Sequence, residues 1–232
     1  MQGVIKSIDC LKNFPLFQDI DDEYLEEIFE SSNIIRFKKA QCIFYEGTRP
    51  QGIYCILQGK LKVVKLCPEG KEQIINLVKE GDVLGLRCVM TKEEYTNSAI
   101  TLEEADICYI SKDKFFEIIQ KNPSVNKLVI EYVCKKLDML ENKIIHLSQR
   151  SVRERLAINL LLLNQYFGIP KNNGILIDVS LSREEMANLV GTATETVIRL
   201  LSEFRRDGIV NFSGKKMTIT NLANLRKITD VF

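Results

Sequence analysis

Six apolar residues, Ile130, Val133, Leu137, Leu140, Ile144 and Leu147, recur at spacings of 3, 4, 3, 4 and 3 residues. That is the a/d row of a heptad helix, and Glu131, Lys135, Lys136, Asp138, Glu141 and Lys143 surround it. A helix facing its own globular core usually carries a wider apolar stripe. The narrow row therefore predicts a helix over 122–149 that meets the same row of a second copy, in a parallel homodimer. One amphipathic helix lying on its own domain is the competing reading.

The chain differs in character on either side of this row. Between Ile34 and Ile110 the segments CIFYEGTRPQGIYCILQG, KLKVVKLCPEGKEQIINLV, KEGDVLGL and ADICYI alternate over short stretches, with Gly47, Gly52, Gly59, Gly70, Gly81 and Gly85 supplying turns. Several short strands at near-regular intervals predict a β-sandwich or barrel. Helices are expected over 22–29 and 112–120, the second stopped at Asn122-Pro123.

Beyond the row, helical spacing returns over 152–167, followed by a loop, GIPKNNG, and a strand, ILIDV. Ser182 and Glu185 then have capping-box spacing and open a short helix that stops at Gly191; a second helix starts within Thr192–Thr194 and runs to Gly208. Counted from Arg183, Ala187 is fifth, Gly191 ninth, Val197 fifteenth and Leu200 eighteenth. A small residue where the helices cross, a turn glycine and two apolar anchors at these places describe a helix-turn-helix.

Thr194, Glu195, Thr196, Ile198 and Arg199 form the exposed side of that second helix. An arginine can bond a guanine through two hydrogen bonds, and a glutamate can accept from a cytosine amine. GIVNFSGKKMTIT reads as a hairpin wing with Lys215 and Lys216 at its turn, near phosphates. Ser182 and Thr192, at the two helix starts, complete the candidate contacts to double-stranded DNA. The competing reading of Glu195 and Arg199, four residues apart, is a surface ion pair. Charge agrees with a polyanion partner: residues 150–232 carry 12 Lys and Arg against 8 Asp and Glu, whereas residues 1–149 carry 20 against 23.

Other classes of chemistry are poorly represented. The seven cysteines stand with at least eleven residues between neighbours, and His146 is the one histidine, so zinc-finger and clustered iron–sulfur patterns lack ligands. No GxxxxGK[ST] or GxSxG occurs, so an enzyme is not expected. The richest apolar stretch, Ala157–Leu163, is far shorter than the roughly 20 residues a membrane span needs, and the first residues do not read as a signal peptide. The expectation is a cytoplasmic protein with no membrane association.

Several of these segments resemble one family along nearly the whole chain: PLF at 15–17, EGTRPQGIYCILQGKLKV, PEGKEQ, GDVLGL and EEMANLVGTATETVIRLLSEFRRDGIV are similar to the CRP/FNR family of bacterial transcription regulators. The resemblance implies an α+β chain. A double-stranded β-helix (jelly-roll) sensor domain with N-terminal helices would span 1–121, a dimerisation helix 122–149 and a winged helix-turn-helix 150–232. It further implies a homodimer on a palindromic, TGA-core-like operator, with Glu195 and Arg199 on the family's base-reading positions, and recruitment of RNA polymerase. A cyclic-nucleotide-binding-type module regulating an enzyme or signalling system, without specific DNA reading, is the alternative use of such a β-roll.

The resemblance also bears on the signal. The cyclic AMP-binding branch carries Gly-Glu and Arg-Ser where this chain has Gly85-Leu86 and Asn97-Ser98, and a Thr-Ser pair on the dimer helix where this chain has Leu140-Glu141. A buried phosphate without its arginine is costly, so the expected effector is something other than cyclic AMP. Gly85, Leu86, Arg87, Cys88, Asn97, Ser98 and Leu140 would line such a pocket. The oxygen-sensing branch holds its iron–sulfur cluster through three clustered N-terminal cysteines and one later in the chain; here Cys10 and Cys108 alone match. They are candidates for a reversible disulfide, and neither a cluster nor haem is expected as a cofactor.

Overall fold

The computed structural model describes residues 8–68 and 70–229; Glu69 of the PEGKEQ segment lies outside the described residues. Two short helices, α1 (Asp9–Lys12) and α2 (Asp22–Glu30), lead into strands β1 (Asn33–Phe37), β2 (Cys42–Phe44), β3 (Gly52–Gln58), β4 (Lys60–Leu66), β5 (Glu72–Lys79) and β6 (Val83–Leu84). Helix α3 (Leu86–Thr91) precedes β7 (Ser98–Thr101) and β8 (Ala105–Ser111), and α4 (Lys112–Lys121) leads to the long α5 (Pro123–Gln149). Thereafter come α6 (Val152–Phe167), β9 (Gly168–Lys171), β10 (Gly174–Ile177), α7 (Arg183–Val190), α8 (Thr194–Arg206), β11 (Val210–Ser213), β12 (Lys216–Ile219) and α9 (Leu222–Thr229). The chain forms two compact units, residues 1–65 with 76–140, and 66–75 with 141–232, the division falling within α5.

In the first unit two four-stranded antiparallel sheets, ordered β1-β8-β3-β6 and β2-β7-β4-β5, form the roll. Strand β3 explains why its sequence reads as nearly unbroken apolar residues. Successive side chains point to opposite faces, and here both faces are buried. Ile53, Cys55 and Leu57 join a cluster with α2, α4 and the start of α5 (Leu25, Phe115, Val125, Val129), while Ile56 joins Leu61, Val63, Val78 and Ile107 inside the roll. Strand β8 alternates likewise, with Cys108 and Ile110 on the helix side and Ile107 on the other. Arg36 grips the nearly buried carboxylate of Asp106 through two 2.7 Å hydrogen bonds, closing β1 onto β8.

Two local expectations are corrected, and one element is new. Of the segment KEGDVLGL, Lys79 ends β5 and only Val83–Leu84 forms a further strand before Gly85 turns the chain into α3. GIPKNNG is not a loop: Gly168–Lys171 pairs with Gly174–Ile177, the two asparagines making a tight turn between strands. Helix α9 was not anticipated; Leu225, fully buried, anchors it in the second unit.

The second unit buries Leu156, Ala157, Leu160, Val190, Val197, Phe204 and Ile219 between α6, the α7–α8 pair and the sheet β11-β12-β10-β9. Its wing is the β11–β12 hairpin, in which Ser213 faces Lys216 across the turn. Along α5 the two faces differ. Val125, Leu128 and Val129 are buried, whereas Ile130, Val133, Leu137, Leu140, Ile144 and Leu147 all stand 46–65% exposed.

Candidate DNA interface

Helix α7 starts as the sequence requires. Ser182 Oγ accepts from the Glu185 amide at 3.0 Å, and the Ser182 amide donates to Glu185 Oε2 at 2.9 Å. The helix ends at Gly191, whose φ of +74° lies in the left-handed region open to glycine, and whose N–H donates to the Ala187 carbonyl. Thr192 N–H reaches the same carbonyl at 3.1 Å, which tightens the turn. Helix α8 follows from Thr194 with Ala193 as its N-cap, so Thr192 stands just before the helix rather than capping it.

Helix α8 is strongly two-faced. Val197, Leu200, Leu201 and Phe204 are buried, while Glu195, Ile198 and Arg199 are exposed and Thr194 and Thr196 half-buried beside them. Lys215 and Lys216 are exposed at the wing turn. Every candidate DNA contact read from the sequence thus lies at the surface of this unit, and Ser182 is exposed too.

The ion pair that the competing reading placed between Glu195 and Arg199 is not formed. Arg199 Nη1 instead donates to Glu203 Oε1 at 2.6 Å, one turn further along, and among the described residues Glu195 has no ionic partner. Exposed pairs of this kind contribute little by themselves. The other oxygen of Glu203 is held by Arg153 Nη1 of α6 at 2.8 Å.

Two arginines that sequence reading passed over brace the motif. Arg155 of α6 donates to the Val190 carbonyl at 3.2 Å, the Gly191 carbonyl at 3.0 Å and the Arg150 carbonyl at 3.2 Å. It thereby satisfies the free carbonyl end of α7, where a cation is also favoured by the helix dipole. Arg183 lies over the Phe212 ring at 4.3 Å, tying α7 to the wing, and burial lowers its pKa. In the sequence Arg155 sits in the basic stretch Arg150–Arg155 and Arg183 beside two glutamates, and no spacing rule distinguishes either from a solvated residue.

In the roll, the residues expected to line an effector pocket are only partly brought together. Gly85, with φ +82°, precedes α3; a Cβ there would lie 3.0 Å from the Gly52 carbonyl and 3.4 Å from Tyr95 Oη. Leu86 and Cys88 are buried apolar contacts. Arg87 donates to Thr96 Oγ1 at 2.6 Å and pairs with Glu93 at 3.6 Å. Asn97 reaches the same Thr96 hydroxyl at 3.4 Å, and Ser98 Oγ accepts from the Glu46 amide at 2.9 Å. Leu140 does not join them but stands in the exposed row of α5. What fills the space beside Gly85 is aromatic. Phe44 and Tyr95 stack with centroids 4.0 Å apart, Tyr54 lies 5.5 Å from Phe44, and burial drives the Tyr95 hydroxyl far above the phenol range.

The candidate thiols share one environment. Cys108 faces Cys55 directly across the β3–β8 ladder, and Cys10 packs against the same cluster. Burial pushes Cys108 up to about 11 and raises Cys55 and Cys10 as well. Among the described residues no group of three His, Cys, Asp or Glu is placed to hold a metal ion, and no helix is long and apolar enough to cross a membrane.

Residues 34–122 match the model of the cyclic nucleotide-binding domain, and residues 154–228 match the Crp-like helix-turn-helix domain. The chain is similar to the CRP-like cAMP-activated global transcriptional regulator of Mycobacterium tuberculosis, 25% identical over 219 residues that cover 94% of this chain and 98% of that protein. Regulatory protein HlyX of Actinobacillus pleuropneumoniae is 29% identical over 203 residues, 86% of this chain and 84% of its own. The structure of FixK2 from Bradyrhizobium japonicum shares the fold at a TM-score of 0.76 and 21% identity, covering 85% of this chain and 96% of that one. With a β-roll under one model, a winged helix-turn-helix under the other and full-length regulators as its relatives, the chain belongs to the CRP/FNR family of transcription regulators.

Proposed function

We propose that the protein is a homodimeric, sequence-specific regulator that reads a palindromic operator with a TGA-like core. One observation carries the reading: Glu195, Ile198 and Arg199 are exposed on the face of α8 opposite the buried Val197, Leu200 and Phe204, so base-reading groups stand where a major groove can receive them. Ser182, Thr192, Thr194, Thr196, Lys215 and Lys216 contact the sugar–phosphate backbone in this reading and fix the register. The exposed row Ile130–Leu147 of α5 is the dimer seam, and contact with RNA polymerase follows the family's habit.

The controlling signal, in this proposal, is not cyclic AMP. Arg87, the cation that directly follows Gly85-Leu86, is engaged by Thr96 and Glu93, and the neighbouring Cys88 packs with the buried rings of Phe44 and Tyr95. An anionic phosphate there would lack a dedicated partner. Thiol control would run through Cys10 and Cys108, whose burial disfavours the reactive thiolate.

Fluorescence anisotropy with a TGA-core palindrome and random duplex tests the reading. Arg199→Ala should cost about 1–3 kcal/mol on the operator and relax one base position, whereas Lys216→Ala should weaken all sequences alike. Equal losses on both duplexes for Arg199→Ala would sink specific base reading.

A further inference from the structure

We propose that Glu203 is a positioning residue for base reading: anchored by Arg153, it holds the Arg199 side chain in the orientation in which it meets a guanine. The inference rests on the base-reading role given to Arg199 above and adds a specificity-determining pair outside the exposed face of α8.

The geometry is a three-residue relay within one compact unit. Glu203 spends one oxygen on each arginine, Oε1 to Arg199 Nη1 at 2.6 Å and Oε2 to Arg153 Nη1 at 2.8 Å. Arg153 is itself fixed: its guanidinium lies over the Phe204 ring at 4.8 Å, and its Nη2 reaches Asp207 at 3.3 Å. Exposure falls from 64% at the Arg199 side chain to 25% at Glu203. The carboxylate is therefore the sheltered member, and a doubly anchored one. A lone exposed pair would not hold an arginine in place, because its side-chain entropy opposes ordering. A carboxylate already immobilised from behind lowers that opposition.

The atoms used matter as much as the contact. With Glu203 at Nη1, the Nε–Nη2 edge of Arg199 is left to make the two parallel hydrogen bonds that guanine O6 and N7 accept. Arranging the side chain before binding reduces what must be ordered in the complex. The carboxylate also offsets one positive charge of the Arg153–Arg199 pair, which weakens attraction to phosphates of any sequence. Both effects act in one direction, toward discrimination.

The test measures anisotropy of the full chain on the TGA-core palindrome, on the same duplex with each core base pair replaced in turn, and on random duplex. Arg199→Ala locates the guanine position. At that position the wild-type penalty is expected to be about tenfold or more, since a bidentate contact discriminates by that order. Glu203→Gln should reduce the penalty several-fold while tightening random-duplex binding. Arg153→Ala should reduce it likewise, with Arg153→Lys recovering part. In an Arg199→Ala background Glu203→Gln should leave base discrimination unchanged. If Glu203→Gln does not fold by circular dichroism, Glu203→Asp, which keeps the charge but shortens the reach, serves in its place.

Tighter binding to every duplex with an unaltered base penalty would overturn the inference, leaving Glu203 a mere charge. If Arg199→Ala itself relaxes no base position, the base-reading proposal fails instead, and the two failures are thereby told apart.

Discussion

Arg199 and Cys108 show how differently single side chains translate from sequence to chemistry. Arg199 keeps its predicted exposure but takes Glu203 as partner in place of Glu195. Both glutamates are four residues away, and orientation along the helix by itself favours Glu195, which precedes the arginine, so it does not select Glu203. Arg153, fifty residues away in sequence, does, because it fixes Glu203 from the α6 side. Cys108 has a residue identity that permits redox chemistry and an environment that opposes it. Held at about 11 by burial, its thiol stays protonated near neutral pH. Operator affinity, measured anaerobically, is therefore expected to be the same with reductant and with a mild thiol oxidant. A reversible change of tenfold or more, lost in Cys10→Ser or Cys108→Ser, would assign the signal to those thiols.

At the level of elements, the α7–α8 pair depends on one backbone conformation. Gly191 at φ +74° ends α7, and an added Cβ would meet only Leu147 Cδ2, at an ordinary contact distance of 3.5 Å. Gly191→Ala is thus strained by its dihedral and not by a clash. It should cost about 1–2 kcal/mol of stability in urea titration, and Gly191→Asn less, since asparagine tolerates the left-handed region better. A loss as large for asparagine as for alanine would point to packing instead. The turn was legible because its requirements are local: a capping box, a small residue and a glycine at set offsets. The β9–β10 hairpin was not, since Ile169 and Pro170 carry no clear alternation and the strand exists through its pairing with Ile175 and Leu176. Helix α9 escaped for a similar reason, being short and secured by the burial of Leu225.

For the whole molecule, the exposed α5 row is the feature the isolated chain leaves uncovered. Six large apolar side chains at 46–65% exposure in one line exceed what a monomer surface normally scatters singly. Since Leu137 is 54% exposed, Leu137→Glu should leave circular dichroism unchanged, and if the row is the proposed dimer seam it should shift sedimentation from dimer to monomer. Affinity for the two-half-site operator should then fall far more than affinity for a single half-site. An unchanged mass would overturn the proposed seam, a dimeric one placing it elsewhere and a monomeric one removing it.

Features that depend on neighbours a few residues away can be read from the chain alone. The a/d row from Ile130 to Leu147, the alternation through the roll, the Ser182–Glu185 box and the Ala187, Gly191, Val197 and Leu200 spacing follow from helix and strand periodicities. Features that depend on partners distant in the chain emerge only on folding. Phe44, Tyr54 and Tyr95 meet beside Gly85; Arg155 closes the end of α7; and Arg153 chooses Glu203 as the carboxylate that holds Arg199. Periodicity specifies which face a side chain occupies, but hydrogen bonds and ring contacts act over a few ångströms, and only the folded chain brings such residues within that range.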